Sequence, residues 1–286
     1  VDGQGLEEFN DRLQDNLYKL WNRLASGSYF PPPVREVEIP KAHGEGKRRL
    51  GVPTIRDKIA QRVVKEQIEG RIEAHFHENT YGYRPHRGAQ EALEHVRKNC
   101  FQHAWAIDKD IKGCFDNIDH ELLMRAVDKH IEEKWVRMYL RRWLEAPIKK
   151  ADGQLEYRQG KGTPQGGVIS PLLANLFLHY VLDQWLQLHY KGLKFVRYAD
   201  DVIIHCDSRG KAEEIQEAVN QRLQECNLEL NRAKTRIVYC KDYKRTGKYK
   251  ERSFDFLGYR FQPRGMYDKR NGKEIGYSAA ISPGSR

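Results

Sequence analysis

Two adjacent acids, Asp200 and Asp201, lie between two apolar runs that are rich in β-branched and aromatic residues. Such runs favour strands, so the stretch Tyr198-Ala199-Asp200-Asp201 predicts a hairpin with two carboxylates at its turn. Carboxylate oxygens are ligands that Mg²⁺ accepts, and a hairpin tip can hold them rigidly. Because Asp also favours turns for backbone reasons alone, a solvated turn is the alternative interpretation. The case for a catalytic metal site here needs a third carboxylate and a nucleic-acid surface.

A third acid is available where the apolar run 104–107 ends. Asp108 and Asp110 are two residues apart, so both would point to the same face of an extended strand, and spacing alone does not choose between them. Two strand ends brought side by side would place three carboxylates around one point. In a site of this kind, two cations about 3.5–4 Å apart stabilise the attacking and leaving oxygens of a phosphoryl transfer.

The elements that must position these acids are a mixture of helices and strands. Apolar residues at three- and four-residue steps predict helices at 6–25, 54–76, 88–100, 119–145, 171–190 and 211–225. Shorter apolar or alternating runs predict strands at 104–107, 193–206, 235–240 and 253–261, with hairpins at 34–53 and 149–162. The order shows no steady alternation of strand and helix, which favours an α+β fold.

The charge of the chain indicates a polyanionic partner. The net charge is +10 over 286 residues, and residues 232–286 hold 15 lysines and arginines against 5 acids. Basic residues interleaved with tyrosines are typical of nucleic-acid surfaces. A solubilising or disordered tail is the alternative, although the apolar stretch 254–261 argues against plain disorder.

Composition also excludes other classes of protein. The mean hydropathy is −0.80, and no apolar run approaches the ~18 residues of a membrane helix. Five scattered cysteines form no CxxC pair, which indicates a reducing compartment and argues against a zinc site. The first residues carry no secretion signal, so the sequence gives secretion no support, and a leader removed upstream stays an alternative.

Several sequence blocks occur in the order typical of one family. The blocks are 39–41 (IPK), 50–53 (LGVP), 81–85 (YGYRP), 110–118 (DIKGCFDNI), 162–171 (GTPQGGVISP), 198–201 (YADD) and 256–259 (FLGY). Together they resemble the reverse transcriptases encoded by group II introns, and the resemblance covers nearly the whole chain. It implies a right-hand polymerase fold of class α+β, with fingers and a palm whose antiparallel sheet is backed by helices. It also implies that the thumb is absent, since a thumb would begin where the printed sequence ends.

The resemblance implies boundaries for these parts. They are an N-terminal helical extension at 1–33, fingers at 34–103, the first catalytic strand of the palm at 104–118, helices of fingers and palm with a second fingers hairpin at 119–163, and the rest of the palm, with the acidic hairpin and primer-grip region, at 164–286.

The resemblance also implies roles for individual residues. Phe115 follows Asp110 by the family's five positions, so Asp110, Asp200 and Asp201 become the catalytic metal ligands, with the backbone carbonyl of Ile111 as a further ligand. The cofactors would be two Mg²⁺ ions, with Mn²⁺ as a substitute. The residues expected to contact the dNTP are Lys41, Arg48, Arg49, Phe115, Gln165, Gly166 and Lys234. The expected primer grip is Phe256, Leu257, Gly258 and Tyr259.

Some of these residues have simpler interpretations. Lys41, Arg48 and Arg49 fit a solvated hairpin face equally well. Phe115 fits a core aromatic residue, while its implied role is to exclude a ribose 2′-OH. The grip residues also fit an ordinary core strand.

The expected function is that of an RNA-directed DNA polymerase which adds dNTPs to a primer 3′-OH. It is coupled to binding of intron RNA in support of splicing (maturase activity) and retrohoming. The alternatives are a non-processive or inactive RNA-binding splicing factor, or a retron or CRISPR-associated reverse transcriptase. The expected partners are group II intron RNA, an RNA template, a DNA primer and dNTPs, with no membrane and with a homodimer as an option. The expected location is a ribonucleoprotein in the bacterial cytoplasm, and an organelle is not excluded.

Overall fold

The computed structural model describes residues 3–40, 47–268 and 272–282. The helices are α1 (Leu6–Asp11), α2 (Leu13–Ala25), α3 (Ile55–Glu73), α4 (Ala89–Gln102), α5 (Cys114–Asn117), α6 (His120–Asp128), α7 (Lys134–Glu145), α8 (Ser170–Leu178), α9 (Gln184–His189) and α10 (Arg209–Glu225), with a π-helical segment at His179–Asp183. The strands are β1 (Val34–Pro40), β2 (Lys47–Val52), β3 (Trp105–Lys109), β4 (Ile148–Lys149), β5 (Leu155–Glu156), β6 (Lys194–Tyr198), β7 (Asp201–Cys206), β8 (Arg236–Tyr239), β9 (Phe254–Phe256), β10 (Tyr259–Asp268) and β11 (Gly272–Ile281).

The chain divides into two compact units, each built from two separate stretches of sequence. The first unit comprises residues 1–76 and 113–177, and the second comprises residues 77–112 and 178–286. The boundaries of fingers and palm implied by the family resemblance stay predictions.

Side chains at the starts of several helices explain where those helices begin. Thr54 accepts a hydrogen bond from the backbone N–H of Asp57 at the start of α3, and Asp119 accepts one from Leu122 at the start of α6. Ser208 does the same for α10. Each side chain satisfies an N–H that has no partner within its helix. The helix predicted over 6–25 is interrupted at Arg12, whose backbone is not helical (φ −127°, ψ 43°).

A buried polar network holds the first unit together. Its sheet has the strand order β2-β1-β4-β5, with β1 and β4 parallel. The carboxylate of Asp57 on α3 accepts hydrogen bonds from Tyr29 (2.9 Å), Gln61 (2.8 Å) and Trp143 on α7 (2.7 Å). Gln61 in turn accepts the N–H of Val168 at 2.8 Å. Because buried polar groups are costly unless they are paired, this network fixes the loop before α8 against α3.

The second unit contains the antiparallel sheet β6-β7-β3-β8 and a smaller sheet β11-β10-β9. Buried residues of both sheets form one core with α4, among them Val96, Ile203, Phe254 and Tyr277. The antiparallel sheets and the separate helices confirm the α+β prediction. Strand β11 was not predicted, because Gly272, Lys273 and Glu274 begin it without apolar alternation; it is specified by residue-for-residue pairing with β10.

Among the described residues, no helix is both long enough and apolar enough to span a membrane. All five cysteines are buried free thiols.

Candidate active site

The strand register brings Asp110 and Asp201 to the same end of the larger sheet of the second unit, with Asp200 in the adjoining turn. Strands β6 and β7 form a hairpin in which Tyr198 pairs with Asp201, so Ala199 and Asp200 make its turn. Strand β3 pairs with β7 through Lys109 and Val202, and Asp110 is the next residue after Lys109. In an antiparallel pair this register puts Asp110 beside Asp201 at the same strand end.

Asp108 and Asp110 lie in different surroundings. Asp108 pairs with Ile203 within the sheet. Its side chain is half-buried and lies on the same face of the sheet as the buried Ala106. Burial raises the pKa of Asp108 to about 7, and the negative charges of Asp201 and Asp110 add to the rise. Asp110 follows the strand, and its side chain is 33% exposed. This placement supports Asp110 rather than Asp108 as the ligand.

Asn231 holds the carboxylate of Asp110, and sequence reasoning missed it. Its side-chain amide donates to Asp110 Oδ2 at 2.9 Å, and its backbone N–H donates to the Asp110 carbonyl at 2.9 Å. Lys234 Nζ lies 3.7 Å from the same carboxylate oxygen. Ile111, whose carbonyl is an expected ligand, forms an isolated bridge with Leu230. The only signal in the sequence was that Asn231 precedes Lys234 by three residues.

A buried ion pair between Arg197 and Asp183 holds the acidic turn in place. Arg197 on β6 donates to both oxygens of Asp183 (2.8 and 2.6 Å) and to the carbonyl of Ala199 (2.9 Å). Thr80 donates to Asp183 at 3.1 Å. Both charged side chains are fully buried, and Asp183 belongs to the π-helical segment, a helix variant that recurs at functional sites.

Gly82 packs directly against the turn, which gives a first prediction. A Cβ at Gly82 would lie 2.4 Å from the backbone N of Ala199, which is itself in the left-handed region (φ 55°). Gly82→Ala must therefore displace the acidic turn. We expect primer extension to fall by roughly 10²-fold, the cost of a misplacement near 1 Å. Steady-state primer extension measures this.

Gly70→Ala is the matched control. Gly70 lies in α3, and a Cβ at this position would have no atom of another part of the protein within 4 Å. Alanine there should raise stability by about 0.5–1 kcal/mol and leave activity intact. Wild-type activity in Gly82→Ala would refute the tight packing of the turn.

The carboxylates at these strand ends are suitable ligands for divalent cations. Asp110, Asp200 and Asp201 offer carboxylate oxygens at neighbouring strand ends, and their mutual repulsion favours a neutralising cation. Within the described ranges, no three acidic, histidine or cysteine side chains already converge as a metal cluster. Mg²⁺ does not require such a cage, since it binds through one or two carboxylates, waters and substrate phosphates.

Several residues expected to contact the nucleotide lie together in the first unit. The carbonyl of Phe115 accepts the N–H of Thr163 (2.8 Å), and the carbonyl of Gln165 accepts the N–H of Gly51 on β2 (2.9 Å). The side chain of Gln165 donates to Asp116 at 3.2 Å. Gly166 has φ 119°, and a Cβ there would lie 3.1 Å from the Gly51 carbonyl. The loop 162–167 therefore connects Phe115 to strand β2.

The basic residues of the first hairpin differ in their surroundings. Arg48 and Arg49 are neighbours on β2 and point to opposite faces. The guanidinium of Arg49 is bound to Glu36 and, at 3.0 Å, to Glu156. Both arginines are exposed, but Arg49 is held by two carboxylates, so Arg48 is the better placed of the two for a triphosphate. Lys41 lies outside the described residues.

A cleft of about 380 Å³ lies in the first unit beside these residues. Its lining includes Arg49, Gly51, Asp116, Arg158, Lys161 and Gln165. Glu36 and Glu156 also line it, so cations and carboxylates are balanced and the cleft suits a polar ligand.

The predicted primer grip is a tight hairpin in the second unit. Phe256 ends β9 and pairs with Tyr259, which begins β10, so Leu257 and Gly258 form a two-residue turn. Both have positive φ (51° and 79°), as such turns require. Leucine rarely adopts this conformation, and strain of this kind clusters at functional sites. The carbonyl of Gly258 accepts the N–H of Ser282 at 2.8 Å, which ties the turn to the chain after β11.

Comparison with known proteins identifies relatives of this chain. A family model described as "Reverse transcriptase (RNA-dependent DNA polymerase)" matches residues 39–261. The group II intron-encoded protein LtrA of Lactococcus lactis subsp. cremoris is 36% identical over 182 residues, which are 62% of this chain and 29% of that protein. The match thus spans less than a third of the length of LtrA. Protein YkfC of Escherichia coli strain K12 is 33% identical over 298 residues, which are 91% of this chain and 74% of that protein.

Solved structures of telomerase share the fold. Apo telomerase from Candida tropicalis, truncated from its C-terminal domain, aligns with a TM-score of 0.64 at 14% identity and covers 86% of this chain and 59% of that one. Telomerase from Candida albicans aligns with a TM-score of 0.61 at 13% identity and covers 98% and 50%. At these identities the likeness shows the fold alone, and it confirms the predicted right-hand polymerase fold.

Proposed function

Because the chain belongs to the reverse transcriptase family and resembles its group II intron-encoded members, we propose that it is an RNA-directed DNA polymerase. The observation that carries the proposal is the strand register that puts Asp110 beside Asp201 at the end of the acidic hairpin. The reaction is attack of a primer 3′-OH on the α-phosphorus of a dNTP, with pyrophosphate as the leaving group.

In this reaction, side chains of the second unit would bind the metal ions, orient the Asp110 carboxylate and position the primer. Asp110, Asp200 and Asp201, with the Ile111 carbonyl, would hold two Mg²⁺ ions or Mn²⁺ in their place. The ions supply charge neutralisation at the attacking and leaving oxygens. Asn231 orients the Asp110 carboxylate, and Lys234 adds a positive charge beside it. Phe256 to Tyr259 would position the primer strand.

The side chains of the first unit recognise the nucleotide. Arg48, with Lys41, supplies positive charge for the triphosphate. Gln165 is oriented by its hydrogen bond to Asp116, and Gly166 allows close approach of the backbone. Arg49 would be a further contact for the dNTP, with its guanidinium held by Glu36 and Glu156.

Phe115 selects the sugar in this proposal. Its half-buried ring would collide with a ribose 2′-OH, so Phe115→Ala should accept ribonucleotides. We expect the ratio of kcat/KM for dNTP over NTP to fall by at least ~10-fold, since one steric contact is worth about 1–3 kcal/mol. Single-nucleotide incorporation measures the ratio.

Phe115→Tyr is the control, because it keeps the ring and should keep the discrimination. An unchanged ratio in Phe115→Ala, together with a loss of stability, would assign Phe115 to packing alone.

RNA binding in support of splicing is a second candidate function. The relatives include a protein named Nuclear intron maturase 4, mitochondrial, of Arabidopsis thaliana, which is 25% identical over 137 residues. A protein that only binds RNA has no need of Asp110, Asp200 and Asp201, and all three are present here, which favours catalysis. We propose a ribonucleoprotein in the bacterial cytoplasm, and the bacterial sources of LtrA and YkfC support a bacterial origin.

Primer extension tests the polymerase. The protein is incubated with a DNA primer on an RNA template, dNTPs and Mg²⁺, and the product length is measured. Incorporation templated by RNA and removed by EDTA supports the proposal. Binding of the primer–template without any incorporation would leave the RNA-binding function in its place.

A further inference from the structure

The connection between β8 and β9 carries a basic surface that the proposed polymerase does not use. Lys244, Lys248, Lys250 and Arg252 are exposed along this connection, and Tyr243 is 50% exposed among them. We call these five residues the connection surface. The Nζ of Lys244 lies 5.3 Å from the centre of the Tyr243 ring.

The connection is tied to the second unit by polar contacts. The guanidinium of Arg245 donates to the carbonyls of Cys100 (2.7 Å), Phe101 (2.6 Å) and Cys240 (2.6 Å). The carboxylate of Asp242 accepts the N–H groups of Lys244 (2.9 Å) and Arg245 (3.1 Å). The chain between Cys240 and Lys244 is thus held at the end of α4 as a fixed turn.

Aromatic packing holds the next part of the connection. Tyr249 packs against Trp105 and Tyr239, with ring centres 4.6 and 4.7 Å apart. The hydroxyl of Tyr239 accepts the N–H of Gly247 at 3.2 Å, and the N–H of Tyr243 donates to Ile275 on β11 at 2.8 Å. The basic side chains therefore project from an ordered segment, which differs from the solubilising tail considered for residues 232–286. A fixed surface binds with a smaller loss of entropy than a flexible tail.

Positive charge prevails on the connection surface, because Glu251 is the one exposed acid of residues 240–253 and the surface carries four cations. In the part of the chain that the structure describes, Lys244, Lys248, Lys250 and Arg252 form no ion pair with a carboxylate. By contrast, Lys211 and Arg209 on α10 are each paired with a glutamate of the same helix. Unpaired cations beside an exposed aromatic ring fit a polyanion that also offers flat bases.

The surface and the carboxylates lie at opposite ends of one sheet. Trp105, which packs on Tyr249, begins β3 and pairs with Tyr239, whereas Asp110 follows the last residue of β3. Five residues of strand span about 17 Å at ~3.3 Å per residue. A nucleic acid bound at the connection surface is therefore a different segment from the primer end at Asp110.

We propose that the connection surface binds the phosphate backbone of a folded RNA, at a site separate from the polymerase site. The inference rests on the proposed function, because both require that the protein works on RNA. It adds a second contact between the protein and RNA. The lysines and Arg252 contact phosphates, and Tyr243 stacks on an unpaired base.

Charge removal on the surface tests the proposal. The variant is Lys244→Gln/Lys248→Gln/Lys250→Gln, and the probe is a labelled RNA stem-loop in the presence of excess unlabelled primer–template, which occupies the polymerase site. We expect the Kd to rise at least ~10-fold and the slope of log K against log salt to fall by about 2–3, close to one for each lost phosphate contact. Tyr243→Ala should raise the Kd without changing the salt slope.

A second triple variant controls for net charge. Lys191→Gln/Arg209→Gln/Lys211→Gln removes the same three charges outside the surface, and we expect its Kd to stay within about twofold of the wild type. Equal losses in both triple variants, or no change in either, would overturn the proposal. Primer extension on a short template should stay at the wild-type level in both. Failure of the wild type itself to extend a primer would count against the polymerase and not against this surface.

Discussion

Asp200→Ala abolishes primer extension on an RNA template, with an expected loss of at least ~10³-fold in kcat. Asp200 is one of the acids that would hold the cations, and charge neutralisation by those cations at the reacting oxygens is worth several kcal/mol, with ~1.4 kcal/mol for each factor of ten. Asp110→Asn should lose activity to a similar extent, because it removes the charge while Asn231 still has an oxygen to which it can donate. The measurement is product formation per time at saturating dNTP and primer–template.

Asp207→Asn is the matched control for these two variants. Asp207 directly follows β7 at the opposite end from Asp201, its side chain is 85% exposed, and it forms a hydrogen bond with His103. It should keep near-wild-type activity, and all three proteins should unfold at similar urea concentrations. Residual activity above a tenth of the wild type in Asp200→Ala would show that this acid is not a metal ligand.

The sequence was sufficient to predict the strands that carry the carboxylates. Residues 193–206 hold two runs rich in β-branched and aromatic residues on either side of Asp200 and Asp201, and the run at 104–107 ends directly before Asp108. The pairing of β3 with β7 could only be expected from the chemistry of a two-metal site, because long-range register leaves no trace in local spacing. Spacing alone left Asp108 and Asp110 open, and the choice of Asp110 came from the family resemblance, in which Phe115 stands five residues beyond it.

The residues that support the site were not predictable from local pattern. Asp183 lies inside an apolar stretch that predicts one continuous helix over 171–190, and its partner Arg197 lies on a strand fourteen residues later. Asn231 lies in a short loop, where asparagine is common for reasons of turn geometry. In each case the function of the side chain comes from a contact distant in sequence, which composition and periodicity do not encode.

Asp183→Ala lowers the free energy of unfolding of the second unit by about 3–5 kcal/mol, the usual cost of removing one partner of a buried ion pair. Arg197 is fully buried and would keep an uncompensated charge. Its hydrogen bond to Ala199 should also weaken, so primer extension should fall even at temperatures where the variant is folded. Urea unfolding followed by circular dichroism measures the first effect, and primer extension measures the second.

The double variant Asp183→Leu/Arg197→Met separates charge from packing. It removes both charges, so it should regain most of the lost stability while activity stays low, because Ala199 still lacks its donor.

The contribution of Asp183 to stability depends on pH with a defined sign. Burial alone would raise the pKa of Asp183, but the charge and hydrogen bonds of Arg197 outweigh it and hold the pKa well below its usual range. The carboxylate therefore stabilises the fold above its unfolded pKa of about 3.9, and this contribution is lost as the pH falls below that value. The difference in stability between the wild type and Asp183→Asn should be constant above about pH 5 and shrink toward pH 3. A difference that grows on acidification would contradict the ion pair as the source of stability.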